Sequence, residues 1–385
     1  MSSGRQTALA IAIGIVAAIA LLRRGNMEAR TKKTIRIGLA GDTMLGRMIS
    51  QTLTPERVPY ADHDVYRELW GTVLPYLQEN DLNLLNLETT FTRSTNAMPK
   101  VFNFKSDPDH AAALREAKIG VVNIANNHIG DFGNKGLIDT INTLDEAGIA
   151  HVGAGINKTE AQQPVVIEHS GIRIGIIGAT DNEPDWRAGP GSPGTNYFSI
   201  DDMDNLLFEI QRLAQQVDVV IVSLQWGPNK RQRPTQEFVD AAHAMVDAGA
   251  DIIHGHSAHI FQGIETYEGS LILYDTGNFV DDYAVSTLGL RPSTPTATPG
   301  WHQADAVYPD LRNDQSFLFV VHADSDGVKM LKLVPIRISN MQVNIAAPDE
   351  AREIVQRMQK LSAEFDTTVT PSDDGQRATV NVREE

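Results

Sequence analysis

From Thr34 onward, short apolar runs alternate with longer stretches of helical periodicity, and this alternation restricts the chain to a layered α/β arrangement. Runs of strand length occupy residues 35–40, 82–87, 120–124, 217–224, 251–253, 262–266 and 271–274. Residues 165–168 and 172–177 read as a hairpin turning through Ser170-Gly171. Apolar residues at helical spacing predict helices over 66–77, 111–117, 135–147, 203–216 and 236–248. The expected sheets are therefore mixed, with antiparallel hairpins in their later part. Pro348 opens a further helix whose Ala351, Ile354, Val355, Met358 and Leu361 share one face, and a short strand is expected at 378–382. Residues 285–308, rich in Ser, Thr, Pro and Ala and without periodicity, read as a long surface loop.

A chain of 385 residues can bury a large core without covalent staples. It contains no cysteine, which excludes disulfide frameworks, thiolate zinc sites and cysteine nucleophiles together. A net charge of −16 sets nucleic acid aside as a partner. Residues 7–22 are uncharged and apolar all round, and Arg23 and Arg24 end them. That run falls just short of the roughly 20 residues that cross a bilayer unaided. It reads as an uncleaved N-terminal transmembrane anchor; a signal-peptide core and a buried helix are the alternatives. Arg5 stands before it, whereas Arg23, Arg24, Arg30, Lys32 and Lys33 follow, so the positive-inside rule favours a cytoplasmic C-terminal part.

Polar residues gather where the expected strands end. Asp42 follows the first, Glu88 the second, and Asn126-Asn127-His128 the third. Gln225-Trp226-Gly227 closes a strong apolar run, and His254, His256 and His259 follow another. Ligands of α/β sheets bind at the carboxyl ends of strands. If these strands are neighbours, the chain offers carboxylates, an amide and imidazoles to one point, a set suited to Mn, Fe, Zn or Mg. Each piece alone has a plainer reading: an Asp after a strand caps a turn, Asn-Asn-His bonds its own backbone, and a single His is a satisfied core residue.

In order, the chain carries Gly41-Asp42-Thr43-Met44-Leu45-Gly46-Arg47, Asn86-Leu87-Glu88-Thr89, Ala125-Asn126-Asn127-His128, Gly153-Ala154-Gly155, Gln225-Trp226-Gly227, Gly255-His256-Ser257-Ala258-His259 and Gly277-Asn278-Phe279. This series resembles the CapA family of capsule and poly-γ-glutamate biosynthesis proteins, which is related to calcineurin-like metallophosphoesterases. The resemblance covers about 34–344. It implies an anchor and linker over 1–33, a metallophosphoesterase-like sandwich with mixed sheets over 34–344 carrying an insertion at about 285–308, and a C-terminal helix and tail over 345–385.

The resemblance also implies a site. Asp42, Glu88, Asn127, His256 and His259 would hold one or two divalent ions. His128 would polarise substrate or protonate a leaving group, with Asp42 beside it in catalysis. Asn126, Trp226 and Arg312 would meet substrate. Two departures weaken a second ion: Met44 stands where phosphoesterases carry histidine, as is general in the CapA family, and Gln225 replaces the histidine usual before Trp-Gly. The implied role is that of a membrane-held component of poly-γ-glutamate or similar anionic polymer synthesis or export, working with other membrane subunits. A metal-dependent hydrolase of phosphoesters or of polymer amide bonds is the alternative, and a metal-free binding module a third. The resemblance implies that the domain stands outside the cell, against the charge count.

Overall fold

The computed structural model describes residues 33–54, 64–282 and 311–383. The expected anchor and the 285–308 loop lie outside the described residues. Among the described residues no helix is long and apolar enough to cross a membrane.

Two mixed sheets face one another. In the ten-stranded sheet, Ile35–Thr43, Leu82–Leu87, Ile119–Asn123 and Ala150–Val152 run parallel side by side. On the other flank of Ile35–Thr43, Gln315–Asp324 pairs antiparallel, followed by Gly327–Ser339 and Ala378–Asn381. In the six-stranded sheet, Ile172–Thr180, Val219–Gln225, Ile252–His256 and Ser270–Leu273 are parallel, and Val165–His169 and Ile264–Tyr267 close its edges antiparallel.

The apolar runs are continuous rather than alternating because the central strands are buried on both faces. Ile35, Ile37, Leu39, Leu84 and Val121 point inward against Ile174, Ile176, Ile221 and Ile252 of the second sheet. Their chain neighbours Leu85, Leu87 and Val122 point outward, where Gly133–Ala147 covers them with Leu137, Ile141 and Leu144. On the far side, Asp204–Ala214 and Gln236–Asp247 cover Ile177, Val220, Val222 and Ile253. The result is an α/β/β/α sandwich, and Thr34–Glu385 is one compact unit. The helix Pro348–Ser362 sends Ala351, Ile354, Val355 and Met358 into the inter-sheet core.

Two features depart from the sequence reading. The expected helix at 66–77 is three short pieces, Val65–Leu69, Gly71–Val73 and Leu74–Gln78. Gly71 breaks it at φ +42°, where a Cβ would stand 2.3 Å from Asn344 Oδ1, and Pro75 restarts it without an N–H to donate. The long hairpin of Gln315–Asp324 and Gly327–Ser339 was not anticipated. Its turn ends at Gly327 with φ +110°, and its inward Phe317, Phe319, Leu331 and Leu333 help fill the inter-sheet core.

Candidate metal centre

The parallel strands deliver their carboxyl ends to one place. Asp42 lies at the end of Ile35–Thr43, beside Leu82–Leu87, which leads into Glu88; Gln225 and His256 are register partners on adjacent strands of the other sheet. The Asp42 backbone is held by its N–H donating to Gly277 O at 2.9 Å. A Cβ on Gly41 would stand 1.8 Å from that same oxygen, so this approach requires glycine. One ligand atom from each of Asp42, Glu88 and His259 lies within 4.8 Å of the others. His259 Nδ1 is 2.8 Å from Asp42 Oδ2, 3.0 Å from Asn278 Oδ1 and 3.9 Å from Glu88 Oε2. His256 Nδ1 approaches Asp42 Oδ1 to 3.8 Å, and His128 Nε2 approaches Glu88 Oε1 to 3.7 Å.

Buried polar atoms are normally satisfied, and here several are not. Glu88 Oε1 and His256 Nδ1 are buried without a hydrogen-bond partner among the described residues. The loop that carries the histidines holds Ser257 at φ +119° and His259 at φ +62°, left-handed backbone at non-glycine residues. Such outliers persist where surrounding structure enforces them, commonly at functional sites.

Electrostatics agree with a cation-seeking centre. Burial, then the nearby Asp42 charge, pushes the Glu88 carboxyl up to about 8. Burial would lower His259, but Glu88 and the contact with Asp42 overcome it and raise the imidazole to about 10. Burial also works against an ionised Asp42, yet His259 holds its carboxyl below the usual range. His256 and His254 are kept neutral by burial, falling to about 4 and about 3. The raised Glu88 carboxyl and His259 imidazole each favour a proton that a divalent cation would displace on binding. The residues fit such an ion: carboxylate oxygens and imidazole nitrogens suit Mn, Fe, Zn or Mg.

Of the remaining expected site residues, His128 and Asn127 border the centre. His128 Nδ1 donates to Asp131 Oδ2 at 2.7 Å, and its ring stacks on Phe104 with centroids 3.9 Å apart. Asp131 also accepts from Lys100 Nζ at 2.9 Å and from the Phe104 N–H. Burial lowers the His128 pKa against the pull of Asp131, so Nε2 is a bare acceptor facing Glu88. Asn127 and Gln225 bond each other reciprocally: Gln225 Nε2 donates to Asn127 Oδ1 at 2.7 Å, and Gln225 Oε1 accepts from Asn127 N–H at 2.8 Å. The amide oxygen that would serve a second ion is thereby occupied.

The three expected substrate residues are engaged as follows. Asn126 is buried and ties strands together, donating to Asn86 Oδ1 and Leu87 O. Trp226 is fully buried, packed on Phe238 and Tyr274, with its Nε1–H donating to Tyr274 O, so it has no surface left for a ligand. Arg312 lies 3.9 Å from Glu350 and Glu353 of the C-terminal helix. Three residues were missed. Asp131 and Lys100 orient His128, and Asp275 accepts from Ala258 N–H and Gly277 N–H to fix the histidine loop and the turn under Asp42. The signals available were an acid three residues after His128 and one two residues before Gly277-Asn278.

Fold and site together define a two-sheet α/β sandwich protein with a buried carboxylate–imidazole cluster that could hold a metal ion. Residues 36–283 match the family described as "Bacterial capsule synthesis protein PGA_cap", and the chain belongs to that family. It is 29% identical over 88% of its length to a probable polyglutamine synthesis accessory protein of Mycobacterium tuberculosis, covering 94% of that protein. It is 29% identical over 81% of its length to the capsule biosynthesis protein CapA of Bacillus anthracis, covering 69% of it. Among solved structures it is similar to a 5'-nucleotidase precursor from Thermus thermophilus, with TM-score 0.43, 14% identity, and coverage of 85% of this chain and 59% of that one.

Proposed function

We propose that the chain is an accessory component in the synthesis or export of an anionic polymer such as poly-γ-glutamate, acting through one divalent ion held by Asp42, Glu88, His256 and His259. The names of its relatives speak of capsule and polyglutamine synthesis, and the motif series resembles poly-γ-glutamate biosynthesis proteins. The observation that carries the reading is the buried cluster of Asp42, Glu88 and His259, with Glu88 Oε1 and His256 Nδ1 lacking partners beside it. When bound, the ion supplies Lewis acidity and positive charge toward an anionic group. Asp131 holds His128 in the tautomer whose Nε2 can take up a proton next to Glu88. That feature supports a second reading, hydrolysis of a phosphoester or of a polymer amide bond. We place the domain outside the cell on an anchor at residues 7–22, beside other membrane subunits of the polymer system.

Metal content after loading with Mn, Zn or Mg and desalting tests the reading. Wild type is expected to retain one ion, Asp42→Asn none, and Gln225→His a second, because histidine would free Asn127 Oδ1 from its amide partner. No retained ion in any form sinks the metal centre and leaves a metal-free binding role.

A further inference from the structure

Arg231 sits in the loop after Gln225-Trp226-Gly227, half-buried next to exposed Asn229 and Lys230 in the chain. Its guanidinium lies over Phe238, with Cζ 3.7 Å from the ring centroid, and 6.0 Å from the Trp226 ring. All three of its side-chain nitrogens are buried, and none has a hydrogen-bond partner among the described residues. A guanidinium carries five N–H donors in a planar fork, and leaving them unpaired away from water is costly. The nearest acids do not serve it, because their oxygens are directed at backbone amides. Asp181 takes the Gly227 N–H on both oxygens at 3.0 Å, and Asp275 takes Ala258 N–H and Gly277 N–H. They act on Arg231 only through space, and burial outweighs them to lower its pKa.

The position is as informative as the missing partners. The Lys230 N–H donates to Ala258 O at 2.9 Å and Gln262 Nε2 donates to Arg231 O, so the segment carrying the guanidinium is tied to the histidine loop. Phe238 lies against the guanidinium, and no acceptor among the described residues takes its N–H fork. Carboxylates meet such a fork with two parallel hydrogen bonds. Lysine would not give this geometry.

We propose that Arg231 forms an anion subsite beside the Asp42 centre and receives a carboxylate of the polymer through forked hydrogen bonds. This rests on the polymer reading above and adds to it the residue that would select free carboxylates over amides. Asp181 and Asp275 then act as positioning residues that keep the flanking backbone in place.

The test uses the full chain as wild type, Arg231→Gln and Arg231→Lys, with two probes. The first is glutarate, a small dicarboxylate, read by its shift of the melting temperature. The second is a γ-linked glutamate oligomer, compared with its carboxyl-amidated counterpart in equilibrium binding. Wild type is expected to be stabilised by glutarate and to prefer the charged oligomer. Arg231→Gln should lose the glutarate shift and bind the charged oligomer at least about tenfold more weakly, with the amidated one unchanged. Arg231→Lys should fall between them.

Equal glutarate shifts and equal oligomer affinities in wild type and Arg231→Gln would overturn the subsite while leaving the polymer reading intact. An Arg231-dependent glutarate shift without oligomer binding would keep the subsite as a carboxylate site and remove the polymer. If Arg231→Gln does not fold, Arg231→Lys and a wild-type crystal structure with glutarate decide. Hydrogen bonds from Arg231 to glutarate support the proposal, and Arg231 bonded to water alone overturns it.

Discussion

At the scale of single residues, the centre depends on which protons are excluded as much as on which ligands are present. His254 illustrates this. Its Nε2–H donates to Ala40 O at 3.1 Å, and its Nδ1 is 3.2 Å from Ser223 Oγ, which is also 3.2 Å from His256 Nε2. Burial first, then neighbouring His256, lowers its pKa to about 3, against a weaker pull from Asp42. A histidine with a depressed folded pKa binds its proton more readily when unfolded. Stability from keeping it neutral is complete above the unfolded value near 6.5 and falls as pH drops toward the folded one. The wild-type advantage over His254→Gln should therefore shrink by up to about 1.4 kcal/mol per pH unit between pH 6.5 and 4. Urea unfolding of both proteins in chelator at pH 7 and pH 5 checks it, and a constant difference would mean that His254 is not buried neutral. The convergence of Asp42, Glu88, His256 and His259 was legible in sequence, because each follows an expected strand end. Asp131, Lys100 and Asp275 were not, since an acid or lysine in a loop looks like any solvated charge until the fold brings it against His128 or Gly277.

At the scale of elements, most of the fold was readable because strands buried on both faces leave unbroken apolar runs of strand length. The hairpin of Gln315–Asp324 and Gly327–Ser339 escaped for a related reason. Lys332, Pro335 and Arg337 interrupt its second strand, and only its pairing with Gln315–Asp324 and Ala378–Asn381 fixes it. Helix 66–77 was misread because apolar spacing survives across Gly71 and Pro75, whose effect is on backbone rather than pattern. The terminal strand carries a further consequence. Ala378–Asn381 pairs with Met330 to Leu333 and buries Ala378 and Val380. Deleting 376–385 would leave that stretch of Gly327–Ser339 without its neighbour. Unpaired edge strands recruit other chains. The truncated protein is expected to lose on the order of 3 kcal/mol of stability, from lost side-chain burial and ladder bonds, and to self-associate. Denaturant unfolding and light scattering would read the two effects separately, and an unchanged midpoint with a monomeric profile would refute both.

At the scale of the whole molecule, charge and proposed substrate oppose one another. The chain carries a net −16, and a polyanion approaching it meets repulsion everywhere except near local positive groups. The centre answers this with a cation-seeking cluster at the sheet ends, and the proposed subsite adds the Arg231 guanidinium held over Phe238. Charge steers approach more than it sets final affinity, so the conflict belongs in the association rate. Salt screens the distant repulsion first, because its range shrinks from about 30 Å at 0.01 M to about 8 Å at 0.15 M ionic strength. Short-range contacts with buried groups are screened far less. Association of a γ-linked glutamate oligomer with the metal-loaded chain should therefore speed up severalfold as ionic strength rises from about 0.01 to 0.15 M, with dissociation little changed. Stopped-flow measurement across that range decides it. A rate that falls with salt would mean that the local positive field of the site reaches beyond the acidic surface and draws the polymer in.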